Sequence, residues 1–296
     1  MEDLTEFITR GINCKERLIA VNEQVNLQVI TFKPVNDTIN PAIIFVSGWI
    51  SRISGWKDVL IEMSRDFPVY YIETREKNSS VIYGEVSFRV EDFARDIAAV
   101  VDALNLSDGK FILCGSSLGA TSIVESCRFL KRKPLCLVLI GVNAVFYAPI
   151  IWKIMIYLFP PRFYLIMKPV IKWYLRNFRL DVHNDWTQYV KYCGNLDAAN
   201  PWSLKKAALE FIRYEIWSKL PDIQIPTLLV SASKDELHDH ENIQKISSML
   251  PNSKTIDMEI NSNSHSPVVV GEIRKYIGEL MNYLDACIEV SYRECS

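Results

Sequence analysis

The segment Lys110-Phe-Ile-Leu-Cys-Gly-Ser-Ser-Leu-Gly-Ala120 constrains this chain more than any other. Its apolar run, 111–114, has the length of a buried strand. The chain then turns through Gly115, Ser116, Ser117, Leu118 and Gly119, and Ile123, Val124, Cys127 and Leu130 follow at the three-to-four spacing of a helix. A strand that passes so abruptly into a helix holds Ser117 in a strained turn and pushes its Oγ into the open. The glycines on either side let neighbouring backbone approach without a Cβ in the way. The Leu118 N–H, at the start of the helix, is free to face a developing negative charge. Strand, turn and helix around Gly-x-Ser-x-Gly are the context of a nucleophile elbow.

The rest of the chain alternates in the same manner. Arg17 to Ala20 and Asn26 to Phe32 predict antiparallel strands at a sheet edge. Residues 42–46 are continuously apolar and predict a central strand, ending in Ser47-Gly48-Trp49-Ile50. A helix is expected over 56–65, a strand over 69–72, a polar loop over 73–80 whose charge cluster at 73–77 is solvated, and a helix over 88–104. Strands at 135–140, 226–231 and 255–260, a helix near 241–250 and a terminal helix over 268–288 complete the pattern. Strands alternating with helices predict an α/β fold, with a mostly parallel central sheet and helices on both faces. Ligands then bind at the C-terminal ends of the strands, where Ser47-Gly48-Trp49, Ser117 and Asp235 should gather. Residues 144–220 break the alternation with helical segments punctuated by Pro149, Pro160, Pro161, Pro169 and Pro201. The expected organisation is a core of 1–143 and 221–296 with a helical cap inserted at 144–220.

Composition narrows the classes. The chain has 296 residues, 49% hydrophobic and 23% charged, enough to bury a full core. A net charge of −2 gives no global signal for nucleic acid. Its 7 cysteines are odd in number and scattered, without a C-x-x-C pair, and read as reduced thiols of a cytosolic protein. The acidic N-terminus lacks a signal-peptide pattern. Residues 135–152 carry no charge and reach the length at which a membrane span becomes conceivable. A strand, its exit at Gly141-Val142-Asn143 and Pro149 divide them, so no span is expected.

An exposed serine nucleophile needs a base, and the base an orienting acid. Of the 4 histidines, His183, His238, His240 and His265, the last lies in Asn261-Ser-Asn-Ser-His-Ser-Pro267, a small polar loop between a strand and a helix. Asp235 follows the 226–231 strand, and Asp239 is the alternative acid. The order Ser117, Asp235, His265 is that of one fold class. On these residues the chain resembles the α/β-hydrolase superfamily along essentially its whole length. The resemblance implies Ser117 as nucleophile, Asp235 as acid in the pattern from Pro226, and His265 as base. It also implies Ser47-Gly48-Trp49 as the oxyanion loop, with the N–H groups of Trp49 and Leu118 as donors. Four positions depart from the family's habits: Ser47 and Ser116 stand where histidine is common, Ala120 replaces a glycine, and Glu73-Thr-Arg75-Glu76-Lys77 replaces an aspartate-arginine-glycine loop.

The implied function is a serine hydrolase of carboxylic esters or thioesters that works without metal or cofactor. An acyltransferase or cofactor-independent lyase, and a non-catalytic ligand-binding member of the fold, are the alternatives. His238-Asp239-His240 reads as a polar loop and not as a metal site. Residues 143–180 carry Lys153, Arg162, Lys168, Lys172, Arg176 and Arg179 among aromatics and Met155 and Met167, with no acidic residue. That composition suits a greasy lid over an acyl-binding pocket, with Ser116, Phe146, Trp152 and Met155 as candidate substrate contacts. It would favour an apolar acyl group and attract anionic lipid, acyl-CoA or a carrier protein. The expected location is the cytoplasm, with the cap able to rest at a membrane surface.

Overall fold

The computed structural model describes residues 4–8, 12–106, 109–146, 149–234 and 240–294. Along the chain, α1 (Thr5–Ile8), β1 (Asn13–Ala20), β2 (Val25–Lys33) and β3 (Ala42–Val46) lead to a 3-10 turn and α2 (Lys57–Met63). There follow β4 (Val69–Ile72), β5 (Val81–Ile82), α3 (Val90–Leu104), β6 (Phe111–Ser116), α4 (Leu118–Ser126) and β7 (Cys136–Ile140). Four helices come next: α5 (Ile150–Leu158), α6 (Phe163–Phe178), α7 (Trp186–Ala198) and α8 (Pro201–Phe211). The chain closes with β8 (Thr227–Ser231), α9 (His240–Met249), β9 (Ser253–Asp257), α10 (Asn261–Ser264) and α11 (Pro267–Glu294).

The strands form one sheet in the order β1-β2-β4-β3-β6-β7-β8-β9, with β5 paired to β2. β1 and β2 run antiparallel at one edge, and β2 is antiparallel to β4. From β4 onward every neighbour is parallel. The continuous apolar runs made this legible: each residue of β3, β6, β7 and β8 is buried, as strands covered on both faces must be. One face packs on α2 and α11 through Trp56, Val59, Leu60 and Ile273. The other packs on α3, α4 and α9 through Ile97, Val101, Ile123 and Ile246. Among the described residues no helix is long and apolar enough to cross a membrane. The described cysteines are free thiols. Burial pushes the Cys136 thiol up to about 12 and that of Cys114 higher still, which keeps both protonated inside the sheet.

Two details differ from the sequence reading. The last strand, β9, lies a little earlier than 255–260, and 261–264 coil into a helical turn. More consequentially, 73–77 is not a solvated loop. Glu73, Thr74, Arg75 and Glu76 are buried. Arg75 donates through Nε and Nη2 to both oxygens of Asp96 on α3, at 2.8 and 2.7 Å, and through Nη1 to the Ser87 carbonyl at 2.8 Å. A charge run reads as surface because isolated charges cannot be buried; here Arg75 is paired with Asp96 and Lys77 with Glu73, while Glu76 is held through Oε1 alone. Burial pushes the Asp96 carboxyl up to about 6, with Arg75 pulling the other way.

Asp96→Ala leaves the Arg75 guanidinium buried and unpaired, and is expected to cost about 3–5 kcal/mol in urea unfolding. Lys131→Ala, which removes an exposed pair to Asp102, should leave the midpoint where it is.

Candidate functional site

Ser117 sits between β6 and α4 with φ 50° and ψ −118°, outside the regions a serine ordinarily adopts. The two glycines explain how it is held. A Cβ on Gly119 would lie 2.1 Å from the Val46 carbonyl oxygen and 2.7 Å from that of Ser47, and one on Gly115 would lie 2.9 Å from the Ala120 nitrogen. The first turn of α4 is thus pressed against the end of β3, and β6 against α4. The Ser117 N–H donates to the Ile140 carbonyl at 2.9 Å, and its carbonyl accepts from the Thr121 N–H at 3.0 Å.

A partner of Ser117 escaped the sequence reading. Asn143, just beyond β7, donates through Nδ2 to Ser117 Oγ at 3.0 Å. The Thr121 hydroxyl holds the Asn143 carbonyl at 2.8 Å. Accepting on one side leaves the serine O–H free to donate elsewhere. The signal was positional: Asn143 is a polar residue at a strand exit on the rim where Ser117 lies.

The loop after β3 meets Ser117 directly. A Cβ on Gly48 would lie 3.3 Å from Ser117 Cβ. The loop is closed by the Ser51 N–H on the Gly48 carbonyl at 3.1 Å, and it holds Ile50 at φ 52°, a rare conformation for a β-branched residue. The buried segment 73–77 grips it on both sides of Trp49. Lys77 Nζ donates to Ser47 Oγ at 2.5 Å and pairs with Glu73 at 3.3 Å, and the Tyr71 hydroxyl donates to Ser47 Oγ at 3.0 Å. On the other side Glu76 Oε1 accepts the Ile50 N–H at 3.2 Å and the Thr74 hydroxyl at 3.0 Å. Ser47 is therefore a junction for two donors. Among the described residues no hydrogen bond uses the backbone N–H of Trp49 or of Leu118.

His265 follows α10. Its Nδ1 bonds the Asn261 carbonyl at 3.0 Å, and its ring packs on Trp56 with centroids 4.0 Å apart. A carbonyl can only accept, so this bond places a proton on Nδ1. Asp235, His238 and Asp239 lie outside the described residues; His183 is exposed on the segment before α7. Among the described residues no cluster of ligating side chains could hold a metal ion.

Of the candidate substrate contacts, Ser116 is buried at the end of β6. Phe146 packs on Phe211, with centroids 5.4 Å apart and the rings tilted by 32°, in a cluster that includes Leu118 and Trp49. Trp152 and Met155 line an apolar, partly open cavity of about 410 Å³ between α5, α6 and α8, which Trp49 and Ile50 also line. Trp49 thus belongs both to the loop beside Ser117 and to the cavity wall.

No family model matches the chain, and no curated protein matches it. Solved structures do. An enol-lactonase from Burkholderia xenovorans superposes with a TM-score of 0.73 at 14% identity, over 90% of this chain and 100% of that one. An esterase from Thermogutta terrifontis gives 0.69 at 18% identity, over 90% and 99%. The chain has the α/β-hydrolase fold. A bromoperoxidase from Bacillus anthracis shares it as fully, with a TM-score of 0.68 at 13% identity over 90% of this chain and 100% of that one, so the α/β-hydrolase fold alone does not name the chemistry.

Gly119→Ala is expected to cost about 3 kcal/mol or more, because backbone cannot yield as a side chain can. Gly271→Ala, in α11 with open space around it, should instead gain about 0.5–1 kcal/mol. Thermal unfolding of the two variants reads the opposite signs.

Proposed function

We propose that this protein is a serine hydrolase that cleaves a carboxylic ester or thioester with an apolar acyl group, using Ser117, His265 and Asp235. The observation that carries the reading is the strained backbone of Ser117 at the N-terminus of α4. A positive φ on a non-glycine residue is costly, and both flanking glycines are used to accommodate it. Strain kept in this way accords with a site that must present Oγ.

In this mechanism Ser117 Oγ attacks the acyl carbon while its proton passes to His265 Nε2. The N–H groups of Trp49 and Leu118 receive the oxyanion, each donor contributing on the order of 10²–10³ in rate. The carbon–oxygen or carbon–sulfur bond breaks, and the leaving alcohol or thiol takes the proton from His265. Water, deprotonated by His265, then releases the carboxylic acid and restores the Ser117 hydroxyl. Asp235 is assigned the role of fixing the imidazole and stabilising its cation, in concert with the Asn261 carbonyl on Nδ1. Residues 144–220 act as the cap. In support, the Ile216 N–H bonds the Ala144 carbonyl at 3.0 Å, so the helical excursion leaves and rejoins the core at one place. The apolar cavity supports the preference for an apolar acyl chain.

With p-nitrophenyl esters and acyl thioesters of increasing chain length, kcat/KM should rise with length until the cavity is full. Ser117→Ala should lose about 10⁴–10⁶ in kcat, and Asp235→Asn about 10⁴, each with an unchanged circular dichroism spectrum. Trp152→Ala should raise KM for long chains and leave acetyl esters unaffected. Substantial turnover by Ser117→Ala would remove the mechanism.

A further inference from the structure

Helices α5 and α6 are apolar on two opposite faces. Their inner faces, through residues such as Trp152, Met155, Tyr164 and Met167, line the cavity. Their outer faces carry a second apolar stripe. Ile150, Ile151, Ile154 and Leu158 follow one face of α5, with Ile150 76% and Leu158 74% exposed; Ile166 and Trp173 on α6 are 71% and 57% exposed. Neither helix has a single buried residue. A helix as apolar as α5, whose one charge is Lys153, belongs in an apolar interior, yet its outer face and that of α6 meet solvent. Surface stripes of this extent mark an interaction site.

The charges select the occupant. Between 144 and 180 the sequence holds no acidic residue. Lys168 and Lys172 are committed to Asp197, at 3.5 and 2.7 Å. Lys153 on α5 and Arg162 between the helices carry no ion pair among the described residues. A second copy docked face to face on this surface would set these cations against their own kind, with no carboxylate from the segment to meet them. An anionic surface meets them without such a cost. Isoleucine and leucine on one side, a half-exposed tryptophan and flanking cations form the pattern of a helix lying in a lipid interface.

We propose that the outer face of α5 and α6 docks on an anionic lipid bilayer, with the Ile150–Leu158 stripe and Ile166 entering the acyl boundary and Lys153 and Arg162 among the headgroups. The wall that touches lipid is then one helix thick, and its other side is the acyl cavity. This docking is independent of the catalytic assignment, because none of its residues belongs to the triad or the oxyanion loop.

The test is sedimentation of the full chain with vesicles of equal parts phosphatidylcholine and phosphatidylglycerol, alongside phosphatidylcholine alone. The protein should pellet with the mixed vesicles and release as salt rises. The double variant Ile151→Glu, Ile154→Glu should lose at least about tenfold in binding with an unchanged melting curve, since both side chains are exposed. Arg162→Glu should lose about fivefold or more on the anionic vesicles and nothing on the neutral ones. Ser117→Ala should bind as the native chain does, which separates this result from the fate of the hydrolase reading. Equal binding by the double variant, or a native chain that stays in the supernatant with both vesicles, would overturn the proposal. A dimer in light scattering that the double variant dissolves, without vesicle binding, would overturn it in favour of a second copy.

Discussion

The first turn of α4 lies against the carbonyl oxygen of Val46 so closely that a single methyl group would collide with it. Most of the site follows from that approach. It sets the helix N-terminus beside the end of β3, draws the loop at Gly48 up to Ser117, and leaves Ser117 no ordinary backbone conformation. The strain is sustained by regular structure on both sides. β6 is buried between β3 and β7, and the Ser117 N–H is anchored to the Ile140 carbonyl. A tightly paired sheet can hold a residue in a sparsely populated region because relaxing it would break several strand contacts at once.

The second support is ionic and lies beneath the loop after β3. Arg75 is tied to Asp96, Lys77 to Ser47 and Glu73, and Glu76 to the N–H of Ile50. The Arg75–Asp96 and Lys77–Glu73 pairs offset their own desolvation by holding one another in fixed geometry. The consequence is a loop whose backbone is clamped before and after Trp49, while the Trp49 side chain extends toward the apolar cavity. The side at 73–77 is polar and buried, and the side formed by α5 and α6 is apolar, with its inner surface turned to the cavity and its outer surface to solvent.

Much of this was legible in the sequence. Runs such as Ala42–Val46 and Cys136–Ile140 can only be strands covered on both faces, and Gly-x-Ser-x-Gly between an apolar run and a helical pattern leaves little choice of turn. The edge hairpin was readable from alternation. What was not readable depends on pairing across distance. Glu73 to Lys77 looks like solvent-exposed sequence because nothing local announces Asp96, twenty-odd residues on, or Ser47, thirty before. Asn143 could be placed on the rim but not in contact with Ser117. In 143–180 composition announced greasy helices, yet only the fold shows that α5 and α6 use one face for the cavity and offer the other outward.

The central claim is that Ser117 is an activated nucleophile in the folded chain. Labelling with a fluorophosphonate, followed by peptide mass spectrometry, tests it most directly. The account predicts a single phosphonyl adduct on Ser117 in the native protein, absent after heat denaturation and absent in Ser117→Ala. A native protein that stays unlabelled with a probe small enough to pass the cap, or an adduct on a different serine, would contradict it.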